Sequence, residues 1–329
     1  MNIYSIMCII CSGESLTGLQ ELDCSGCPVL TEIPEIPDLK ILKCVGCKLL
    51  TKISNLPNLQ ELNCDNCPLI EIPSLPDLKI LNCYFCALTE IPNLPNLQEL
   101  NCTSNGALVN LPNLQNLQKL NCSRCYSLTE IPDLPKLLEL DCDYCESLIK
   151  LPNIPSLKKI NCRYCPLIKT IQGTEELEEL TCDFCNKLIN IYDISNVRVL
   201  NCDYCPKLRE ILNTENIEML FCRGSLLTEI PYSPALEKLY CDSCKLLTKI
   251  SNIPGLQLIF CSGCPLITEI PDISELKILD CAECKSLVKI HNISNLLELN
   301  CDACPLLIKT QKMIDMSNRY YDDCVFLYD

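Results

Sequence analysis

A nine-residue frame, LxxLxCxxN or LxxLxCxxC, returns about every twenty residues along nearly the whole chain. It reads LQELNCTSN at 97–105 and LQELNCDNC at 59–67. The first Cys of successive frames falls at positions 24, 44, 64, 83, 102, 122, 142, 162, 182, 202, 222, 241, 261, 281 and 301. A fixed period of this length indicates stacked structural repeats that share one continuous core. It overrides the expectation of two globular domains that a chain of 329 residues would otherwise raise.

Each repeat combines a strand signal with proline-rich chain, and reads approximately IPxLPxLxxLxCxxCxxLxx. The LxC segment alternates with period two, which predicts a short, half-buried strand. Each Pro removes an amide donor and restricts the residue before it, which disfavours a helix in the IPxLP segment. We therefore expect a solenoid with short parallel strands on one side. Its other side should be irregular or polyproline-like, with little or no helix.

The frame resembles the leucine-rich repeat, which contains L-x-x-L-x-L-x-x-N/C. Here Cys replaces the third Leu and, in most turns, the Asn; Asn105 keeps the Asn, and Ser225 is a polar departure. Connections such as IPNLPNLQEL (91–100) are similar to the short-repeat proteins among bacterial effectors. The doubled Cys is similar to leucine-rich repeat proteins of giant, mimivirus-like DNA viruses. The resemblance implies a horseshoe-shaped leucine-rich repeat solenoid with its strands on the concave face, and buried positions for both cysteines of the frame.

The period divides the chain into three segments. Residues 1–15 form a truncated N-terminal turn, with Cys8 and Cys11 sixteen residues ahead of Cys24 and Cys27. Residues 16–308 hold about fifteen repeats, and residues 309–329 break the pattern. A solenoid end exposes a cross-section of core, so we expect this last segment to be a C-terminal cap or tail. Its apolar residues are Met313, Ile314, Met316, Val325, Phe326 and Leu327.

Charge and hydropathy narrow the classes of partner. A net charge of −15 argues against a nucleic-acid backbone or an anionic membrane surface. The sequence contains no apolar run of about eighteen residues, so we expect no membrane span. The start, MNIYSIMCII, has neither a basic n-region nor a small-residue cleavage site. We therefore expect a cytoplasmic protein, in the host cytoplasm if the chain is viral, and not a secreted one.

The 31 cysteines require an interpretation of their own. Disulfide frameworks are typical of small secreted domains, whereas these cysteines occupy apolar positions of a repeat, where Cys behaves as a small hydrophobe. We interpret them as a structural ladder in a reduced core. Representative members are Cys24, Cys27, Cys44, Cys47, Cys64, Cys67, Cys122, Cys125, Cys142 and Cys145. Two alternatives stay open. CxxC pairs of adjacent turns, about 5 Å apart, could form four-sulfur zinc sites, or the pairs could be redox-active.

Catalysis finds little support in the sequence. It contains no glycine-rich phosphate loop, no nucleophile elbow and no HExxH motif. The one histidine, His291, lies in the connection KIHNIS, where we expect it to be exposed. A lone exposed histidine with no fixed nucleophile is far more often a surface residue than a general base. We predict that the protein is not an enzyme, has no catalytic residue and binds no cofactor, with zinc as the alternative.

Aromatic residues mark one part of the strand face. The column before the first Cys is mostly polar from Asn63 to Asn201 and then becomes aromatic at Phe221, Tyr240 and Phe260. The column before the second Cys holds Tyr144, Tyr164, Phe184 and Tyr204, beside the charged residues Asp143, Arg163, Asp183 and Asp203. Aromatic residues are enriched in the cores of protein interfaces. Stacked rings also stabilise sheets, so both interpretations stay open. From 171 to 216 the connections lose their prolines, which indicates a differently built convex side there.

We therefore predict a non-enzymatic scaffold that binds another protein through the concave face, centred on residues 141–260. This prediction rests on the extended, regular strand face with its aromatic residues and on the binding role that the repeat resemblance implies. Two alternatives are a metal-binding or thiol-buffering solenoid and a structural component of a viral particle.

Overall fold

The computed structural model describes residues 8–292, 294–310, 312, 313 and 315. These residues form two compact units, which divide between Leu167 and Ile168 and are described separately. Most of the expected C-terminal cap lies outside the described residues, including Ile314, Met316, Val325, Phe326 and Leu327. Met313 is described and buried.

From residue 8 onward, unit 1 contains one short helix and ten strands. They are α1 (Ile9–Ser12), β1 (Glu21–Asp23), β2 (Glu32–Ile33), β3 (Ile41–Lys43), β4 (Lys52–Ile53), β5 (Glu61–Asn63), β6 (Ile80–Asn82), β7 (Glu99–Asn101), β8 (Lys119–Asn121), β9 (Glu139–Asp141) and β10 (Lys159–Asn161). Strands β2 and β4 pair with each other, and the other eight pair side by side in chain order. All these pairings are parallel.

Unit 2 contains twelve strands in its described part. They are β11 (Thr170–Gln172), β12 (Glu179–Thr181), β13 (Asn190–Tyr192), β14 (Val199–Asn201), β15 (Glu210–Ile211), β16 (Met219–Phe221), β17 (Lys238–Tyr240), β18 (Leu258–Phe260), β19 (Glu269–Ile270), β20 (Ile278–Asp280), β21 (Lys289–Ile290) and β22 (Glu298–Asn300). The main sheet has the order β12-β14-β16-β17-β18-β20-β22. Strands β11, β13 and β15 form a second sheet, and β19 pairs with β21.

The repeat frame sets the register of each main sheet. Leu22 pairs with Leu42 and Leu42 with Leu62, so equivalent residues of successive turns stack. The first Cys of each turn continues the hydrogen-bond ladder, as when the Cys44 N–H donates to the Asn63 carbonyl at 2.8 Å. The middle strand residue and the cysteines point inward, and Leu42 and Cys44 are fully buried. The predicted leucine-rich repeat solenoid, with short parallel strands and very little helix, is confirmed.

The side opposite the main sheet is more regular than predicted. Strands β11, β13 and β15 lie in the three connections that lack the prolines of IPxLP. The Leu212 N–H, at the position that the first Pro of IPxLP occupies in other connections, donates to the Ile191 carbonyl at 2.9 Å. Because proline has no amide hydrogen, a connection with Pro at this position cannot make this bond. Among the described residues, no helix is long and apolar enough to cross a bilayer.

Candidate functional site

Three aromatic rings form a continuous stack on the strand face of unit 2. Phe221, Tyr240 and Phe260 end strands β16, β17 and β18, and we call them the aromatic strip. The Phe221 and Tyr240 rings are 4.5 Å apart and inclined by 5°. The Tyr240 and Phe260 rings are 5.4 Å apart and inclined by 10°. These separations follow the spacing of about 4.8 Å between neighbouring strands, so the sheet itself aligns the rings. All three side chains are half-buried.

Arg223 contacts both the aromatic strip and two carboxylates. Its guanidinium donates to Asp203 Oδ2 and to Asp242 Oδ2, both at 3.1 Å. Its backbone N–H donates to Asp203 Oδ1 at 2.7 Å. The same guanidinium lies 4.9 Å from the centre of the Tyr240 ring and 6.0 Å from that of Phe221, within the range of cation–π attraction. Arg223 and Asp242 were not predicted from the sequence, although each directly follows the first Cys of its frame, like Asp143 and Arg163.

Burial dominates the electrostatics of this network. It raises the pKa of Asp203 to about 6, although hydrogen bonds from Arg223 and its positive charge act in the opposite direction. Burial also raises the pKa of Asp242, again against the effect of Arg223. The side chain of Asp203 is only 9% exposed, against 23% for Arg223 and 24% for Asp242. The charges of the network are therefore held largely away from water.

Each unit also carries one stacked pair from the second predicted column. In unit 1, the Tyr144 and Tyr164 rings are 4.2 Å apart and inclined by 13°. In unit 2, the Phe184 and Tyr204 rings are 5.0 Å apart and inclined by 21°. Arg163 lies 5.8 Å from the centre of the Tyr164 ring. Tyr204 is exposed, and the other three rings are half-buried.

The residues of this second column have an unusual backbone. The residue directly before the second Cys, or before the Asn or Ser that replaces this Cys, has a left-handed backbone in all fifteen full frames, with φ between 49° and 70°. The residues are Gly26, Gly46, Asn66, Phe85, Ser104, Arg124, Tyr144, Tyr164, Phe184, Tyr204, Gly224, Ser243, Gly263, Glu283 and Ala303. Glycine is unstrained there, whereas bulky residues are genuine outliers. The recurrence of Gly at this position is the sequence signal that we missed.

The charged residues beside the second column are less exposed to solvent than we expected. Asp183 and Asp203 are buried, so their carboxylates do not present charge to a partner. Asp143 and Arg163 are half-buried.

The strand face of unit 1 is polar and bonded to itself. The Thr103 hydroxyl lies 2.7 Å from the amide oxygen of Asn101 and 2.8 Å from that of Asn121. The Ser123 hydroxyl likewise lies 2.8 Å from Asn121 Oδ1 and 2.8 Å from Asp141 Oδ1. This internal bonding occupies polar groups that could otherwise recognise a ligand.

The second cysteine column occupies the place of the asparagine. Cys67 Sγ donates to the Cys44 carbonyl of the preceding turn at 2.9 Å, and Cys145 Sγ bonds to the Cys122 carbonyl at 3.2 Å. Asn105 makes the fuller version of this contact. Its amide group donates to the Cys83 carbonyl at 2.9 Å and to the Cys102 carbonyl at 2.8 Å. Its oxygen accepts from the Leu88 N–H at 3.1 Å. Ser225 lies 3.3 Å from Cys244 Sγ.

The first cysteine column is buried deeply. Cys83 and Cys202 are fully buried, and their thiols lie 3.3 Å and 3.1 Å from carbonyls of the next turn. Burial raises the pKa of Cys83, Cys202 and Cys241 well above that of a free thiol. Thiols held in the protonated form are poor nucleophiles and poor metal ligands.

A different arrangement occurs at the N-terminal end of unit 1. The sulfur atoms of Cys8, Cys11 and Cys27 all lie within 4.8 Å of one another. Among the described residues, no other three metal-ligating side chains lie this close together. The sequence signal was the sixteen-residue spacing between the truncated turn and the first full frame. His291, by contrast, contacts Glu269, with Nε2 2.8 Å from the carboxylate.

Comparison with known proteins finds similarity in structure. No protein-family model and no curated protein matches the sequence. YopM from Yersinia enterocolitica WA-314 is 18% identical with a TM-score of 0.39, and the alignment covers 89% of this chain and 90% of that one. A leucine-rich repeat protein of Leptospira interrogans is 18% identical with a TM-score of 0.42, over 95% and 97% of the two chains. The functional domain of InlJ from Listeria monocytogenes, which includes a cysteine ladder, is 20% identical with a TM-score of 0.34, over 75% and 58%. The resemblance to giant-virus repeat proteins stays a prediction.

Proposed function

We propose that this protein is a non-enzymatic scaffold that binds another protein through the strand face of unit 2. The partner surface would combine apolar and basic side chains. The observation that carries the proposal is the aromatic strip together with Arg223, which fixes its position. Nucleic acid and anionic membranes are unfavourable partners for a chain of net charge −15.

The strip has the properties of a pre-ordered binding surface. Its rings are half-buried and stacked, so little side-chain entropy remains to be lost when a partner covers them. The first residue of each strand points to the same face as the third. Met219, Leu258 and Ile278 occupy that first position and are half-buried, which widens the apolar surface. Aromatic side chains within such a surface are the residue types that dominate binding energies.

Charge favours a basic partner. The guanidinium of Arg223 is already engaged by two carboxylates, so it offers little positive charge outward. The next strand after the strip ends at Asp280, which is half-buried. A lysine or arginine of the partner beside the strip would meet the Asp280 carboxylate and the aromatic faces together.

The second column carries stacked aromatic rings on a left-handed backbone. A left-handed conformation costs a residue with a Cβ about 1–2 kcal/mol, so a pair such as Phe184 and Tyr204 costs roughly twice that. An aromatic stack recovers about 0.5–1.5 kcal/mol. The same left-handed conformation occurs at this position in all fifteen full frames, so the strain belongs to the repeat. The aromatic side chains, and not the strain, distinguish these pairs, and aromatic residues are enriched in the cores of protein interfaces. We accordingly propose the Phe184–Tyr204 pair, and the Tyr144–Tyr164 pair with Asp143 and Arg163 in unit 1, as additional contact regions.

We propose a structural role for the two cysteine columns. Their thiols donate hydrogen bonds to backbone carbonyls, and this requires the reduced, protonated form. The cysteines thereby take the positions of the leucine and asparagine of the repeat frame. This supports a reducing compartment, such as the cytoplasm, as the location of the protein.

The test is a selection of displayed random peptides against the purified, reduced full chain. The binding variant replaces the strip, as Phe221→Ser, Tyr240→Ser and Phe260→Ser. The control variant replaces three exposed aromatics elsewhere, as Phe85→Ser, Tyr126→Ser and Tyr232→Ser. We expect the selected peptides to be enriched in basic and apolar residues. Their synthetic forms should bind the strip variant at least tenfold more weakly and the control variant unchanged.

Circular dichroism and thermal unfolding establish that both variants fold. Equal affinities for the wild type and a folded strip variant would overturn the proposed site. Peptides that lose affinity for the control variant instead would place the binding surface elsewhere.

A further inference from the structure

The three thiols at the N-terminal end of unit 1 have the spacing of metal ligands. Cys8 Sγ and Cys11 Sγ are 3.6 Å apart, and Cys11 Sγ and Cys27 Sγ are 3.7 Å apart. The third pair lies within 4.8 Å. Zinc–sulfur bonds of about 2.3 Å in a tetrahedral arrangement place neighbouring sulfur atoms about 3.8 Å apart. Two of the three separations therefore already match a tetrahedral thiolate site.

This cluster departs from the ladder found in the rest of the chain. In the next turn, Cys47 Sγ donates to the Cys24 carbonyl at 3.1 Å and forms no cluster of three with other described metal-ligating side chains. Cys27 is the equivalent residue one turn earlier, yet its sulfur contacts that of Cys11. The cause lies in the sequence. The truncated turn precedes the first full frame by sixteen residues, against nineteen or twenty elsewhere, so its second Cys is not displaced by a full turn.

The burial of the three cysteines suits a metal ion that is partly accessible to solvent. Cys8 and Cys27 are buried, whereas Cys11 is only half-buried, so solvent reaches the cluster at Cys11.

We propose that Cys8, Cys11 and Cys27 bind one thiophilic divalent cation, Zn²⁺ by geometry, with water as the fourth ligand. The ion ties the truncated turn to the first full repeat and so closes the N-terminal end of the solenoid. This assignment is independent of the proposed binding function of unit 2. It also differs from a metal-binding ladder, because it predicts one ion per chain and leaves the internal CxxC pairs without metal.

Binding exchanges protons for the metal. Three thiols and one hydrated Zn²⁺ give a tris-thiolate zinc–water complex and release three protons, with no change of oxidation state. Because ligand thiols must be deprotonated, the apparent affinity falls as the pH is lowered.

The experiment uses the full chain, purified without oxygen and with a phosphine reductant. Zn²⁺ is titrated in competition with a chromophoric chelator, and the bound metal is counted by elemental analysis. The test variant is Cys11→Ser. The matched control is Cys86→Ser, because Cys86 is also a half-buried second cysteine of a CxxC pair in unit 1. Loss of an outer-shell partner alone lowers metal affinity about 10–100-fold, so loss of a ligand should lower it by at least about 100-fold. We expect one Zn²⁺ per wild-type chain, this loss in Cys11→Ser, and no change in Cys86→Ser.

X-ray absorption of the wild-type zinc protein provides a readout that needs no variant. We expect three sulfur neighbours at about 2.3 Å and one lighter atom. Failure to retain Zn²⁺ against the chelator would overturn the assignment, as would several ions per chain or equal retention by Cys11→Ser. A Cys8–Cys11 disulfide that persists under the reductant would overturn it as well.

Discussion

Arg223 offers the sharpest test of how the aromatic strip is held. Replacing it with alanine leaves Asp203 and Asp242 without their shared counter-charge in a place where water is largely excluded. Removing one member of a fully buried ion pair costs about 3–5 kcal/mol. Arg223 and Asp242 keep about a quarter of their side-chain surface, so solvent screening reduces this cost. We expect Arg223→Ala to lower the free energy of unfolding by about 2 kcal/mol at pH 7.5.

The cost of removing Arg223 depends on pH in a defined direction. Burial raises the pKa of Asp203 to about 6 in the folded wild type, and loss of the guanidinium raises it further. Below pH 6, Asp203 therefore becomes neutral in the folded state and no longer needs the positive charge. The destabilisation should accordingly be greatest above pH 7 and fall below about 1 kcal/mol at pH 4.

Urea unfolding, followed by circular dichroism at pH 7.5 and pH 4, measures both values. The matched control is Arg198→Ala, which breaks an exposed pair with Glu218 in the same unit. Exposed pairs contribute about 0–1 kcal/mol, so this variant should change little at either pH. Equal effects of the two arginine variants at pH 7.5 would refute the reasoning, as would an Arg223→Ala effect that does not change with pH.

Further predictions address the ladder, the left-handed column and the buried carboxylate. Asn105→Ala should lower the free energy of urea unfolding by about 3 kcal/mol, because two buried carbonyls and one N–H lose their partner. Asn105→Cys should lose about half as much, because a thiol restores one of these bonds; equal losses would contradict the ladder interpretation. Glu283→Gly should raise the free energy of unfolding by about 0.5–1 kcal/mol, because Glu283 is exposed and has a left-handed backbone (φ 58°) that glycine adopts without strain. Ala282→Gly next to it should lower that free energy by a similar amount, and the opposite signs would contradict the backbone assignment. Wild-type stability should fall by roughly 2 kcal/mol as the pH rises from about 4 to about 6, because Asp203 ionises at a cost. Asp203→Asn should remove this fall in urea unfolding across that range, and an unchanged pH profile would assign the fall to other groups.

The period of the sequence was sufficient to predict the core. Leu39, Leu42, Cys44, Cys47 and Leu50 are all fully buried. Equivalent positions recur in each turn and are apolar except where Asn105 and Ser225 replace the second Cys. Repetition makes such a prediction dependable because each turn presents the same surface to the next. The stacked rings at Phe221, Tyr240 and Phe260 follow from the same register.

Features that depend on departures from the period were not predicted. The bonds of Arg223 to Asp203 and Asp242 join side chains 20 and 19 residues apart, and their choice among many charged neighbours depends on side-chain geometry. The three-thiol cluster results from one shortened turn, whose path a periodic frame does not describe. Loss of proline at 171–216 indicated a change in the connections, but pairing as strands requires three such connections to lie in register.

The most direct measurement of the central claim is site-specific photocrosslinking of a selected peptide to the full chain. A photoreactive benzoyl-phenylalanine replaces Phe260, the last ring of the strip, or Tyr232, an exposed aromatic in the connection between β16 and β17. We predict that the peptide crosslinks efficiently from position 260 and at background level from position 232. Crosslinks from position 232 alone, or equally from both positions, would contradict binding through the strand face of unit 2.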